Sequence, residues 1–110
     1  ITSTGTIRGT PRFMAPEQLL NSRAAGPAAD QFGLAATLYE VLTGTWHYEA
    51  DGGPTWRVLL QAEAVPLRER ESTVSPELES VVMRGLERDP EARFPSIQAF
   101  RSRLKELRAR

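Results

Sequence analysis

The sequence predicts a mainly α-helical chain organised around one central apolar helix. Apolar residues recur at helical spacing in three separate stretches, and no convincing run alternates apolar and polar as a half-buried strand does. Proline, glycine and serine fall at the ends of those stretches, where helices start and stop. Of 110 residues, 40% are hydrophobic and 25% charged, the balance of a soluble globular protein and not of a disordered tail.

Each element has a local cause. Residues 1–10 are mostly hydroxyl side chains and glycine, which favour turns, so an exposed loop is expected there. Pro16-Glu17-Gln18-Leu19-Leu20 reads as a single helical turn with proline at its first position. Gly26-Pro27 then punctuates the chain. From Asp30 the pattern changes. Phe32, Leu34, Ala35, Ala36, Leu38, Tyr39, Val41 and Leu42 cover nearly the whole circumference of a helix over 30–44, and such a helix is normally buried on all sides. Asp30 is placed to cap it and Gly44 to end it.

Residues 45–54, with Gly52-Gly53-Pro54, read as a loop, 56–63 as a short amphipathic helix and 65–74 as irregular. Ser75-Pro76-Glu77 opens a helix with a hydroxyl cap, a proline and an acid at the positive end of the dipole. Leu78, Val81, Val82 and Leu86 form its apolar stripe, and Pro90 stops the run. Ser96 opens the last helix, with Ile97, Phe100, Leu104 and Leu107 on one face.

Charge and composition exclude several functions. The 14 basic and 14 acidic residues cancel, so the chain is no polycation for nucleic acid. Residues 1–100 carry −4 and the last ten +4, and that basic end reads as a solvated helix face. Cysteine is absent and His47, a loop residue, is the sole histidine, so no metal site is expected. The most apolar window, 32–42, is far short of the roughly 20 residues a membrane helix needs and contains Glu40. No basic start precedes an apolar run at the N-terminus, and a cytoplasmic protein without a membrane segment is expected. Ile1 is not a residue behind which an initiator methionine is normally trimmed, which suits an internal piece of a longer chain.

Three motifs carry a resemblance. Gly9-Thr10-Pro11-Arg12-Phe13-Met14-Ala15-Pro16-Glu17 resembles the end of the activation segment of eukaryotic-like Ser/Thr protein kinases. The stretch Asp30 to Gly44 resembles the central helix of their large lobe, and Leu86-Glu87-Arg88-Asp89-Pro90-Glu91-Ala92-Arg93-Phe94 resembles the link before their last helix. Order and spacing match the family over essentially the whole chain, and bacterial members are the most similar. The resemblance implies one partial kinase domain over 1–110: activation segment and substrate loop at 1–17, central helix at 30–44 and the remaining helices at 55–110. The fold implied is the helical part of the C-terminal lobe, incomplete here and α+β in the complete domain.

The same resemblance assigns roles. Thr10 would support the catalytic aspartate, since a hydroxyl can donate to a carboxylate while accepting from a neighbouring lysine. Gly9, Thr10, Pro11 and Phe13 would shape the substrate pocket, and the Gly-Thr-Pro-x-Phe form argues for Ser/Thr substrates over Tyr. Glu17 and Arg93 would form a structural ion pair, a job that suits the planar guanidinium fork. Asp30 would accept hydrogen bonds from the catalytic loop; taken alone, it reads as a plain cap. Thr2, Thr4 and Thr6, with Ser3 beside them, lie where family members are phosphorylated, the alternative being an unmodified loop.

Departures and absences bound these roles. Thr45-Trp46-His47-Tyr48 stands where the family carries Pro-Phe, Gly33 and Ala35 replace its Ser and Gly, and Ala99 replaces an acid. Trp46, Tyr48 and Trp56 read as packing residues. Phosphoryl transfer needs a Gly-rich phosphate loop, a strand lysine, His-Arg-Asp and Asp-Phe-Gly. None is present, and Lys105 is the single lysine. ATP and Mg²⁺ thus belong to a parent kinase, with none bound by this chain. The expected partners are a protein substrate and the missing N-terminal part of the kinase. An apolar central helix lacking that part predicts ANS binding and weakly cooperative melting. A non-catalytic remnant acting as an interaction module is the alternative function, and an unrelated helical domain is a further one.

Overall fold

The computed structural model describes residues 13–21, 26–49 and 55–108. Six α-helices follow one another there: α1 Pro16–Leu20, α2 Pro27–Thr43, α3 Thr55–Gln61, α4 Leu67–Arg70, α5 Pro76–Gly85 and α6 Ile97–Arg108. A 3-10 turn at Pro90–Ala92 separates α5 from α6, and no strand occurs among the described residues. Helices α4, α5 and α6 pack against α2, while α1 packs on α3.

Helix α2 starts three residues before the expected Asp30. Gly26 is its cap and Pro27 its first residue, because the fixed φ of proline is already helical and its missing N–H is not needed there. Asp30 therefore sits inside the first turn, its backbone N–H bonded to the Gly26 carbonyl at 2.9 Å and its side chain exposed. It is not the cap. At the other end Gly44, at φ 78°, turns the chain into the left-handed region and donates to the Glu40 carbonyl at 2.7 Å.

One face of α2 is covered. Ala29, Phe32, Ala35, Ala36 and Tyr39 are buried, Leu34, Leu38 and Leu42 are half-buried, and Val41 is 74% exposed. On the covered face Gly85 of α5 is the point of closest approach. A Cβ there would lie 2.7 Å from the Ala35 Cβ and 3.3 Å from the Phe100 ring, so three helices meet where a side chain has no room.

Local capping accounts for α5 and α6. The Ser75 hydroxyl accepts the Leu78 N–H at 3.1 Å, and the Ser96 hydroxyl accepts that of Ala99 at 3.0 Å. Helix α5 ends at Gly85, before Pro90, as Leu86 and Glu87 tighten into bonds three residues back, to Met83 and Arg84.

Two further features depart from the sequence reading. Within 65–74, read as irregular, lies α4, too short to show a period. It is held by tertiary contacts: Leu67 is fully buried, and Arg70 donates to the carbonyl of Trp46 and, at 3.5 Å, to that of Tyr48. His47 lies in its loop as expected but is only 1% exposed. Its ring is edge-on to Phe32, Tyr39 and Trp46 at 5.4–6.1 Å and 4.2 Å from Tyr48, making it part of the aromatic packing under the loop.

Candidate functional site: a buried loop anchor

The residues that carry chemistry converge where α1, the start of α2 and the segment after the 3-10 turn meet. The turn is self-supporting. Asp89 accepts the Glu91 N–H at 2.9 Å, Pro90 fixes the first φ, and Arg93 leaves in extended conformation. Its side chain then enters the space between α1 and α2.

There the guanidinium uses all five of its N–H groups. Nε donates to the Glu87 carbonyl at 2.8 Å. Nη1 donates to Glu17 Oε2 at 2.7 Å and to the Ala28 carbonyl at 3.0 Å. Nη2 donates to Glu17 Oε1 at 2.9 Å and to the Arg88 carbonyl at 3.4 Å. The Phe32 ring lies 4.9 Å from the guanidinium carbon. The Arg93 side chain has no exposed surface, while that of Glu17 keeps 20%. The contact is a two-pronged, charge-assisted pair with every donor satisfied, the condition under which a buried arginine is tolerated.

Helix α1 aims Glu17 at this fork. Pro16 starts it, and the Gln18 side chain reaches back to accept the Ala15 N–H at 2.9 Å. Upstream, Phe13 and Met14 pack half-buried against the core, and the Phe13 carbonyl passes Gly33 of α2 so that a Cβ there would meet it at 3.5 Å. The chain entering α1 is thus laid along the central helix.

Of the residues singled out in the sequence, the structure brings Glu17 and Arg93 together and sets Phe13 against α2 nearby. Asp30 is exposed on the first turn of α2. Gly9, Thr10, Pro11 and the hydroxyls Thr2, Ser3, Thr4 and Thr6 lie outside the described residues. Among the described residues no group of three or more His, Cys, Asp or Glu side chains could hold a metal ion. No helix there is long and apolar enough to cross a membrane.

Sequence reasoning missed several supports. Gln31, 1% exposed, binds the backbone of Phe94 in both directions. Arg88 donates to the carbonyls of Ala62, at 2.8 Å, and of Leu60, tying the end of α3 to the link before Arg93. Arg84 lies 4.2 Å over the Phe94 ring. A polar Gln31 beside the apolar run of α2 was the one signal available.

All five guanidinium donors of Arg93 are engaged in this arrangement. What it does is hold. Fold and anchor together define a helical lobe that pins the chain entering α1 against a central helix. Residues 2–104 match the protein kinase domain, and the chain belongs to that family. It is 38% identical over 104 residues to the serine/threonine-protein kinase Pkn1 of Myxococcus xanthus, covering 94% of this chain and 15% of that protein. It is 34% identical over 104 residues to the tyrosine-protein kinase MasK of Myxococcus xanthus (strain DK1622), covering 94% and 16%. Against the serine/threonine-protein kinase PknD of Chlamydia muridarum identity is 34% over 108 residues, covering 94% and 11%. The chain therefore spans no more than 16% of the length of these three curated relatives.

Proposed function

We propose that this chain is the C-terminal part of the large lobe of a cytoplasmic kinase that transfers the γ-phosphate of ATP to protein Ser or Thr. This part contributes substrate docking, activation-loop regulation and scaffold, and does not catalyse transfer alone. The observation that carries the proposal is the Arg93–Glu17 fork, which joins the end of the loop segment to the link before the last helix across 76 residues. Gly9, Thr10, Pro11 and Phe13 form the substrate-side pocket, with Thr10 bonded to the catalytic aspartate of the upstream part. Asp30, its carboxylate open to solvent, is available to accept backbone N–H groups from the catalytic loop. Phosphorylation at Thr2, Thr4 or Thr6 orders the loop by pairing with arginine.

The residues present do not fit ATP or Mg²⁺. No phosphate loop, His-Arg-Asp or Asp-Phe-Gly occurs in the sequence, and the described carboxylates form no metal cluster. ATP is held by the upstream part, which docks on the open face of α2 through Leu34, Leu38 and Val41. Those same absences favour, as the second reading, a non-catalytic remnant that binds a partner. The test is transfer of labelled phosphate from ATP to Ser/Thr and Tyr peptides. The 110-residue chain is expected to be inactive, and a chain extended by its upstream coding sequence to label Ser/Thr peptides. Transfer by the short chain, or exclusive tyrosine labelling by the long one, overturns the proposal.

A further inference from the structure

The anchor has a support that its two charged residues do not explain. Gln31 Nε2 donates to the Phe94 carbonyl at 3.1 Å, and Gln31 Oε1 accepts the Phe94 N–H at 3.0 Å. One side-chain amide thus takes both backbone groups of a single residue, as a neighbouring strand would. Phe94 is the residue after Arg93. Its ring is gripped as well, 5.6 Å from Phe100 and 4.2 Å beneath the Arg84 guanidinium. The same stretch of α2 contributes the Ala28 carbonyl that Arg93 donates to and the Phe32 ring it lies over. Segment 93–94 is therefore fastened to α2 on both sides of the Arg93 side chain, and Arg93 in turn holds Glu17.

We infer that Gln31 is a positioning residue: by clamping the Phe94 backbone it sets the depth at which Arg93 captures Glu17, and so the seating of the loop before α1. An aliphatic side chain there would fill the space but leave the backbone N–H and C=O of Phe94 without their partner, and Arg93 would lose its fixed origin. The consequence for substrate rests on the proposed kinase function. The consequence for α1 does not.

The test compares amide exchange in the 110-residue chain with that of Gln31→Met, which keeps length and volume but loses both bonds. Local loosening is the expected result. The Gln18 and Asn21 amides, bonded within the α1 turn to Ala15 and Glu17, exchange at least tenfold faster. The Gly44 and Glu79 amides, in the caps of α2 and α5, stay within twofold. Unchanged α1 amides overturn the inference, and so does uniform acceleration, which would make Gln31 an ordinary structural residue. If Gln31→Met does not fold, Gln31→Glu, which keeps an acceptor for the Phe94 N–H, decides by the same ratio. In the upstream-extended kinase the variant raises KM for peptide several-fold and leaves KM for ATP unchanged. Local loosening of α1 with an unchanged peptide KM would support the clamp and overturn the substrate-loop role instead.

Discussion

Replacing Arg93 by methionine removes the anchor while preserving length and contact with the Phe32 ring. Five hydrogen bonds go, two of them to Glu17 and three to the carbonyls of Ala28, Glu87 and Arg88. Breaking a buried pair costs about 3–5 kcal/mol, because the remaining partner is left uncompensated. Here that partner is Glu17, which keeps 20% exposure and regains some water, so the lower end, about 3 kcal/mol, is expected. Domains of this size have about 5–15 kcal/mol in total, so the loss is a large share. With a urea m-value of about 1–2 kcal/mol/M the midpoint moves down by about 1.5–3 M. Far-UV circular dichroism in urea is the assay, since urea also suppresses apolar association. Arg103→Met provides the control. Its pair with Glu106 spans one turn of the α6 surface, where such pairs contribute about 0.5 kcal/mol or less. Equal midpoint shifts for the two variants would refute the claim that the Arg93 pair holds the fold.

Other outcomes follow from the same structure. Gly85→Val forces α2, α5 and α6 apart at the 2.7 Å approach to Ala35 and lowers stability by about 1–3 kcal/mol in urea titration. Ser75→Ala removes the α5 cap and costs about 1 kcal/mol, read by the same titration. Burial raises the phenol pKa of Tyr39 and of Tyr48, with Arg70 opposing at Tyr39 and Arg88 and Arg93 at Tyr48. The unfolded chain therefore loses these protons first. The stability they contribute is intact below about pH 10 and falls as pH rises beyond it, so tyrosinate absorbance should rise together with alkaline unfolding. With Val41 74% and Leu20 76% exposed, the chain binds ANS, and Val41→Asp reduces that binding without lowering the urea midpoint.

Some of this was legible in local sequence and some was not. Ser75 and Gly44 act within four residues of themselves, so spacing alone identified them. At the start of α2 local reasoning favoured Asp30, a stronger capping side chain than glycine; Pro27 set the start at Gly26 instead. Helix α4 and the burial of His47 depend on Arg70 reaching back to the 46–48 loop, a contact no periodicity encodes. The meeting of Glu17 with Arg93 lies across 76 residues, and only the likeness of their two motifs to one family connected them. Gln31 lay inside the Asp30–Gly44 motif without a role assigned to it, and that role emerged only with Phe94 beside it.

The coding DNA immediately upstream of Ile1 tests the central claim most directly. The account predicts an uninterrupted frame encoding His-Arg-Asp and, after it, Asp-Phe-Gly, so that the fork at Arg93 seats the substrate loop of a working kinase. A stop codon in that frame, or a start codon directly before Ile1, would contradict it and leave a helical module whose function lies in what it binds.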